Sequence, residues 1–178
     1  MAQVYVAIGS NVEPERHMAL AAQALRREFP DTRFSSWYRN RAVGFEGDDF
    51  INCVAGFSSG LGIHEVVARL QAVEAMCGRP RDAPRWAPRT MDIDVLLYDG
   101  LILDEPKLKL PRPDLLKRPY MLGPLAELAP QVVHPLAGQS IGALWQQFDR
   151  AAHPMQRLAE TPATSQCSGH RPRPESAP

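Results

Sequence analysis

Two stretches of this chain carry apolar residues at helical spacing, and each is followed by short apolar or β-branched runs that end in turn residues. In 15–29, Met18, Ala21, Ala22, Leu25 and Phe29 fall on one helical face. In 63–77 the stripe is Ile63, Val66, Val67, Leu70, Val73 and Cys77. Pro14 suits a first helical position, with Glu13 and Glu15 at the positive end. Strands are expected over 3–8, where Gly9-Ser10-Asn11 makes the turn, and over 32–38, 50–58 and 91–98. Asp99-Gly100 is a tight-turn signal, which predicts a hairpin from 91–98 into 101–103. Short helices are expected over 120–128 and 141–148. A hairpin-rich sheet covered by helices fits an α+β fold better than a doubly wound parallel one.

The 178 residues, 44% of them hydrophobic, suit one domain with a core, placed at 1–149. From 150 to 178 Pro, Ser, Thr and Ala dominate, and a disordered tail is expected. The formal net charge of zero argues against a globally basic nucleic-acid binder. No apolar run approaches the ~18–20 residues of a membrane span. The first residues lack the layout of a signal peptide, so a cytoplasmic protein is expected. Oligomerisation has no sequence signal, and a monomer is the default. Cys53, Cys77 and Cys167 are odd in number and widely spaced, which argues against a disulfide framework. Cys53 and Cys77 read as small buried hydrophobes. The histidines are scattered, and none pairs at zinc spacing.

The densest chemical signal runs from Arg79 to Asp94. Strand side chains alternate, so Asp92 and Asp94 point to one face and repel unless a cation lies between them. Carboxylates are hard oxygen ligands, which suits Mg²⁺. Ile93, Val95 and Leu97 would then face the core. Arg79, Arg81, Arg85 and Arg89 supply forked donors for a polyphosphate, and Trp86 suggests cover for a flat ligand. The same spacing also fits an exposed strand face with Asp92 and Asp94 paired to Arg85 and Arg89. An arginine–tryptophan patch for nucleic acid is a third option, opposed by the neighbouring acids. The chain has no Walker-type Gly-rich loop and no kinase motif set. Gln71 and Glu74, at i and i+3, share one edge of the second helix.

The run Arg85-Trp86-Ala87-Pro88-Arg89-Thr90-Met91-Asp92-Ile93-Asp94-Val95-Leu96-Leu97 closely resembles the signature of the hydroxymethyl-dihydropterin pyrophosphokinases of folate biosynthesis. Val6-Ala7-Ile8-Gly9-Ser10-Asn11, Trp37-Tyr38-Arg39, Phe50-Ile51-Asn52 and 118–125 resemble other blocks of that family in order. The resemblance covers roughly 3–148. It implies a ferredoxin-like α+β fold, a three-layer αβα arrangement with a mainly antiparallel central sheet. It implies transfer of the β,γ-diphosphate of ATP to 6-hydroxymethyl-7,8-dihydropterin, leaving AMP. Asp92 and Asp94 would hold two magnesium ions, and Arg81 and Arg89 would join them as catalytic residues. ATP contacts would come from Gln71, Glu74, Arg79, Arg81, Arg85, Arg89, Val95, Arg112 and Arg118. Pterin contacts would come from Val43, Phe50, Asn52, Trp86, Asp92 and Tyr120, with Phe50 and Tyr120 sandwiching the ring.

Two departures stand out. Asn40-Arg41-Ala42 replaces a common Thr-Pro-Pro, and Pro111-Arg112 replaces a common Pro-His. They fit a subfamily with altered nucleotide contacts or with a modified pterin acceptor, and a non-catalytic nucleotide-binding module on the same fold is a separate alternative.

Overall fold

The structure, a computed structural model, describes residues 1–41, 48–78 and 90–159. Its elements are β1 (Ala2–Ser10), α1 (Pro14–Glu28), β2 (Arg33–Phe34), β3 (Tyr38–Asn40), β4 (Phe50–Ser59) and α2 (Ile63–Met76). They continue with β5 (Asp92–Tyr98), β6 (Leu103–Glu105), β7 (Leu108–Leu110), α3 (Pro119–Leu128), α4 (Ile141–Gln147) and β8 (Gln156–Arg157). The main sheet runs β5-β1-β4-β3-β8, with β2 also on β4, and every pairing is antiparallel. Taking β2 and β3 as one interrupted strand, this is the interleaved β-α-β order of a ferredoxin-like fold.

Strand alternation builds two cores. Val4, Val6 and Ile8 of β1, Ile51, Cys53 and Phe57 of β4, and Ile93 and Val95 of β5 bury one face. The helical stripes meet them there: Met18, Ala21 and Leu25 of α1, and Val66, Leu70 and Val73 of α2. On the other face, Tyr5, Val54 and Leu96 pack against Met121, Leu122 and Leu125 of α3 and Ile141 of α4. The sheet is therefore the middle of three layers, as expected for the α+β class. Cys53 and Cys77 are buried, and burial pushes both thiols up, away from the reactive thiolate form. No helix among the described residues is long and apolar enough to cross a membrane.

Four expectations change. The single strand over 32–38 is two short pieces. At the break, the Ser36 N–H and hydroxyl both donate to Glu127 on α3, at 2.8 and 2.7 Å, instead of extending a ladder. The hairpin from 91–98 into 101–103 does not form. Asp99 does turn the chain, with φ 45°, but it binds back onto β1. Its N–H reaches the Gln3 carbonyl at 2.8 Å, and its carboxylate accepts the Gln3 N–H at 2.7 Å. β6 pairs with β7 as a separate ribbon.

The third change concerns Leu97. A register shift opposite Tyr5 and Val6 turns Leu97 into the α3-side core, across the sheet from Ile93 and Val95. The fourth concerns the chain after 149, where a disordered tail was expected. Gln156 and Arg157 pair with β3, and the Leu158 N–H bonds the Trp37 carbonyl at 2.9 Å. Residues 160–178 lie outside the described part.

Candidate active site

Asp92 opens β5, and its Cα partner on β1 is Gly9. On the other side of β1, Gly9 is opposite Asn52 of β4. Asn52 in turn faces Tyr38 of β3. One row of the sheet thus reads Asp92, Gly9, Asn52, Tyr38. Alternation puts Asp92, Asp94, Gly9 and Asn52 on the α3 side, opposite the buried Ile93 and Ile8. Asp94 lies one row along, opposite Ala7. The expected same-face acidic pair is present, with both residues partly exposed.

Gly9 lies between these two polar residues. Asp92 and Asn52 stand two strand spacings apart, about 9–10 Å, and the residue between them carries no side chain of its own. The missing Cβ makes room for the Asn52 amide, because a Cβ on Gly9 would lie 2.5 Å from the Asn52 Oδ1.

The polar partners hold this surface in place. Asn52 is buried and donates its Nδ2 to the Asn40 Oδ1. Asn40, at the position of one departure, therefore fixes the Asn52 amide. It also sits opposite Phe50, which is half-buried on the same face as Asn52. The Ser10 hydroxyl donates to the Thr90 carbonyl at 2.7 Å, tying the end of β1 to the entry of β5. Glu74 on α2 accepts the Ile93 N–H at 2.8 Å. That bond occupies the outer edge of β5 between the two aspartates.

Arg112 meets Asp94, with Nη1 3.0 Å from Oδ1. Its own N–H is bonded to the Leu96 carbonyl at 2.9 Å, which holds the residue alongside β5. Tyr120 lies in the first turn of α3, just after Arg118. Burial raises the Tyr120 phenol pKa. Arg118 opposes the rise, while Asp114, Asp94 and Asp92 add to it. The phenol therefore lies within electrostatic reach of the acidic pair. Tyr120 and Arg118 line a cavity of about 240 Å³ with Asn40, Arg41, His153 and Met155.

Not every expected residue reaches this surface. Val95 is 5% exposed in the core facing α1 and α2, so its side chain is not brought to the aspartates. Gln71 is exposed on α2, one turn before Glu74. Val43, Arg79, Arg81, Arg85, Trp86 and Arg89 lie outside the described residues. Sequence reasoning missed Asn40 as a partner of Asn52 and Glu74 as an anchor of β5. Neither has a local signal, since each contact joins separate elements.

Two carboxylates on one strand face fit a hard divalent cation. Among the described residues no group of three or more His, Cys, Asp or Glu could hold a metal. An ion at Asp92 and Asp94 would complete its shell with water and ligand oxygens, which is the habit of Mg²⁺.

Comparison with known proteins gives concordant results. Residues 5–130 match the family model described as 7,8-dihydro-6-hydroxymethylpterin-pyrophosphokinase (HPPK). A 2-amino-4-hydroxy-6-hydroxymethyldihydropteridine pyrophosphokinase of Synechocystis sp. is 37% identical over 150 residues, covering 83% of this chain and 76% of the relative. The protein of that name from Pseudomonas aeruginosa is 40% identical over 135 residues, covering 73% and 82%. Among solved structures, an HPPK-DHPS in complex with substrates superposes with a TM-score of 0.63 at 9% identity. That match covers 85% of this chain and 44% of the longer one. A Plasmodium falciparum HPPK-DHPS with pteroate gives a TM-score of 0.64 at 10% identity, covering 82% and 42%. At such identities the superpositions speak for the fold.

Proposed function

This chain belongs to the 7,8-dihydro-6-hydroxymethylpterin-pyrophosphokinase family, and on that premise we propose how its residues divide the reaction. The chain is a diphosphotransferase of folate biosynthesis that acts on hydroxymethyldihydropterin. The hydroxymethyl oxygen bonds to the β-phosphorus of ATP, and the bond from that phosphorus to the α-phosphate oxygen breaks. AMP leaves, and the hydroxyl proton is lost. Such a transfer needs alignment and charge neutralisation more than covalent help from the protein.

In our reading Asp92 and Asp94 hold magnesium, two ions in all, on the α3 face of β5. Magnesium supplies charge neutralisation to the phosphate oxygens and alignment of the attacking and leaving groups. Asn52 reads the polar edge of the pterin, its amide oriented by Asn40. Phe50 and Tyr120 cover the flat faces of the ring. Gly9, lacking a Cβ, makes room for the Asn52 amide where the hydroxymethyl end approaches the aspartates. Arg112 and Arg118 take phosphate oxygens, with Gln71 and Glu74 on the nucleotide side. Val43, Arg79, Arg81, Arg85, Trp86 and Arg89 keep the roles that the resemblance implies. For Val95 only main-chain atoms are offered to ATP, since its side chain is buried.

The single observation that carries this reading is the row Asp92–Gly9–Asn52, an acidic anchor and an amide on one face with a glycine between them. The test is an AMP-release assay with Mg²⁺, ATP and 6-hydroxymethyl-7,8-dihydropterin. Asp92→Ala and Asp94→Ala should each lower kcat about 100-fold or more, on the scale of losing an essential electrostatic group. Near-native turnover by Asp94→Ala would remove the aspartates from the metal role.

A further inference from the structure

The ion pair between Arg112 and Asp94 has a consequence for how metal reaches the site. Asp94 is 25% and Arg112 34% exposed in their side chains, so the contact is partly shielded from solvent. It is also braced. The Arg112 N–H bonds the Leu96 carbonyl at 2.9 Å, and the Arg112 carbonyl accepts the Leu115 N–H at 3.0 Å. The backbone thus presents this guanidinium to the carboxylate without help from a ligand. A histidine at this position would carry no permanent charge.

We propose that Arg112 is a resident counter-ion of Asp94, so that its charge makes the acidic pair take a divalent metal together with a nucleotide and less readily without one. The proposal rests on Asp92 and Asp94 being the metal pair. Two carboxylates alone are a sparse ligand set for a cation that gives up its water reluctantly. An ion arriving without nucleotide must detach Arg112 from Asp94 and then face its positive charge at close range. An ion arriving with ATP meets different energetics. The phosphates complete the ion's shell and also give the displaced guanidinium a forked acceptor. Metal and nucleotide affinity are then coupled through this side chain among others, and the coupling is reciprocal.

The test is binding of Mn²⁺, a hard-ligand stand-in for Mg²⁺, to the full chain by electron paramagnetic resonance. It is run with and without the non-hydrolysable analogue α,β-methylene-ATP. Without nucleotide, Arg112→Gln should bind Mn²⁺ about two- to fivefold tighter than the unsubstituted chain, the scale of one partly shielded ion pair. Arg112→Lys keeps the charge and should stay as weak as the parent. With the analogue present, the parent's affinity should rise by a larger factor than that of Arg112→Gln. Far-UV circular dichroism confirms that each variant is folded. Equal or weaker Mn²⁺ binding by folded Arg112→Gln without nucleotide would overturn the proposal and leave the metal pair standing. Adding Asp92→Asn and Asp94→Asn to Arg112→Gln should abolish the tighter binding. Its survival would show that the ion sits elsewhere, and the proposal and the metal assignment would fall together.

Discussion

At Gly9 a missing side chain does what no side chain could. The residue lies between Asp92 and Asn52 on one face of the sheet, and a Cβ there would come within 2.5 Å of the Asn52 Oδ1. Asn52 has little room to yield, being buried and bonded to Asn40. Gly9→Ala should therefore misplace the Asn52 amide while leaving the aspartates on their strand. The expected result is a pterin Kd raised about tenfold, with nucleotide binding much less affected and stability lowered by about 1–3 kcal/mol. Titration with the pterin and with a nucleotide analogue separates the two effects, and equal weakening of both would count against this role of Gly9. The acidic pair was legible in the sequence because strand alternation is local, so Asp92 and Asp94 had to share a face. Arg112 on Asp94 and Asn40 on Asn52 were not legible. Each contact depends on where a separate segment returns to the sheet, and residue spacing carries no record of that.

At the scale of elements the same division holds. The stripes of α1 and α2 and the alternation of β1 and β4 can be read from the chain, since one period fixes which side is buried. The Asp99 turn was also legible, but its destination was not. A turn residue sets a local bend, and the exchange of hydrogen bonds with Gln3 decides where the chain goes next. Glu127 of α3 shows what such distant contacts hold together. It accepts from the Ser36 N–H and hydroxyl and from the Tyr38 hydroxyl at 2.5 Å, so it joins α3 to the break between β2 and β3. Burial pushes the Glu127 pKa up, but the bonds from Tyr38 and Ser36 and the nearby Arg157 outweigh it, and the net shift is downward. Its stabilisation is present above the usual glutamate pKa and is lost as pH falls through the lowered folded value. Burial, followed by Glu127, raises Tyr38 to about 12. That contribution is complete below the unfolded tyrosine pKa of about 10 and is lost as pH rises toward the folded value. Glu127→Gln should cost about 1–2 kcal/mol at neutral pH and flatten the acid limb of the stability profile. Denaturant unfolding across pH measures this, and an unchanged acid limb would show that other carboxylates set it.

For the whole molecule, the segment after α4 decides where the domain ends. The family match stops at residue 130, and composition placed the boundary at 149. Proline and small residues argue for disorder only while the chain finds no partner, and here partners exist. β8 covers the edge of β3, and the Leu158 N–H reaches the Trp37 carbonyl. The Arg157 Nε donates to the Ser36 hydroxyl at 2.8 Å, within the Glu127 cluster. The Met155 Cε would lie 3.1 Å from a Cβ on Gly123, so the strap packs closely on α3. Ala152, His153, Pro154 and Met155 also form one wall of the cavity whose other walls include Asn40, Arg118 and Tyr120. The strap thus seals a bare sheet edge and borders the proposed ring-binding side of the site. A chain ending at Asp149 should lose about 2 kcal/mol, which lowers Tm by about 4–8 °C for a domain of this size. It should also bind the pterin more weakly, because one wall is gone. A chain ending at Ala159 should match the full-length protein in both respects. Thermal melts and pterin titrations on the two truncations decide the matter. If the chain ending at Asp149 melts and binds like the full-length protein, the strap contributes nothing and the boundary returns to 149.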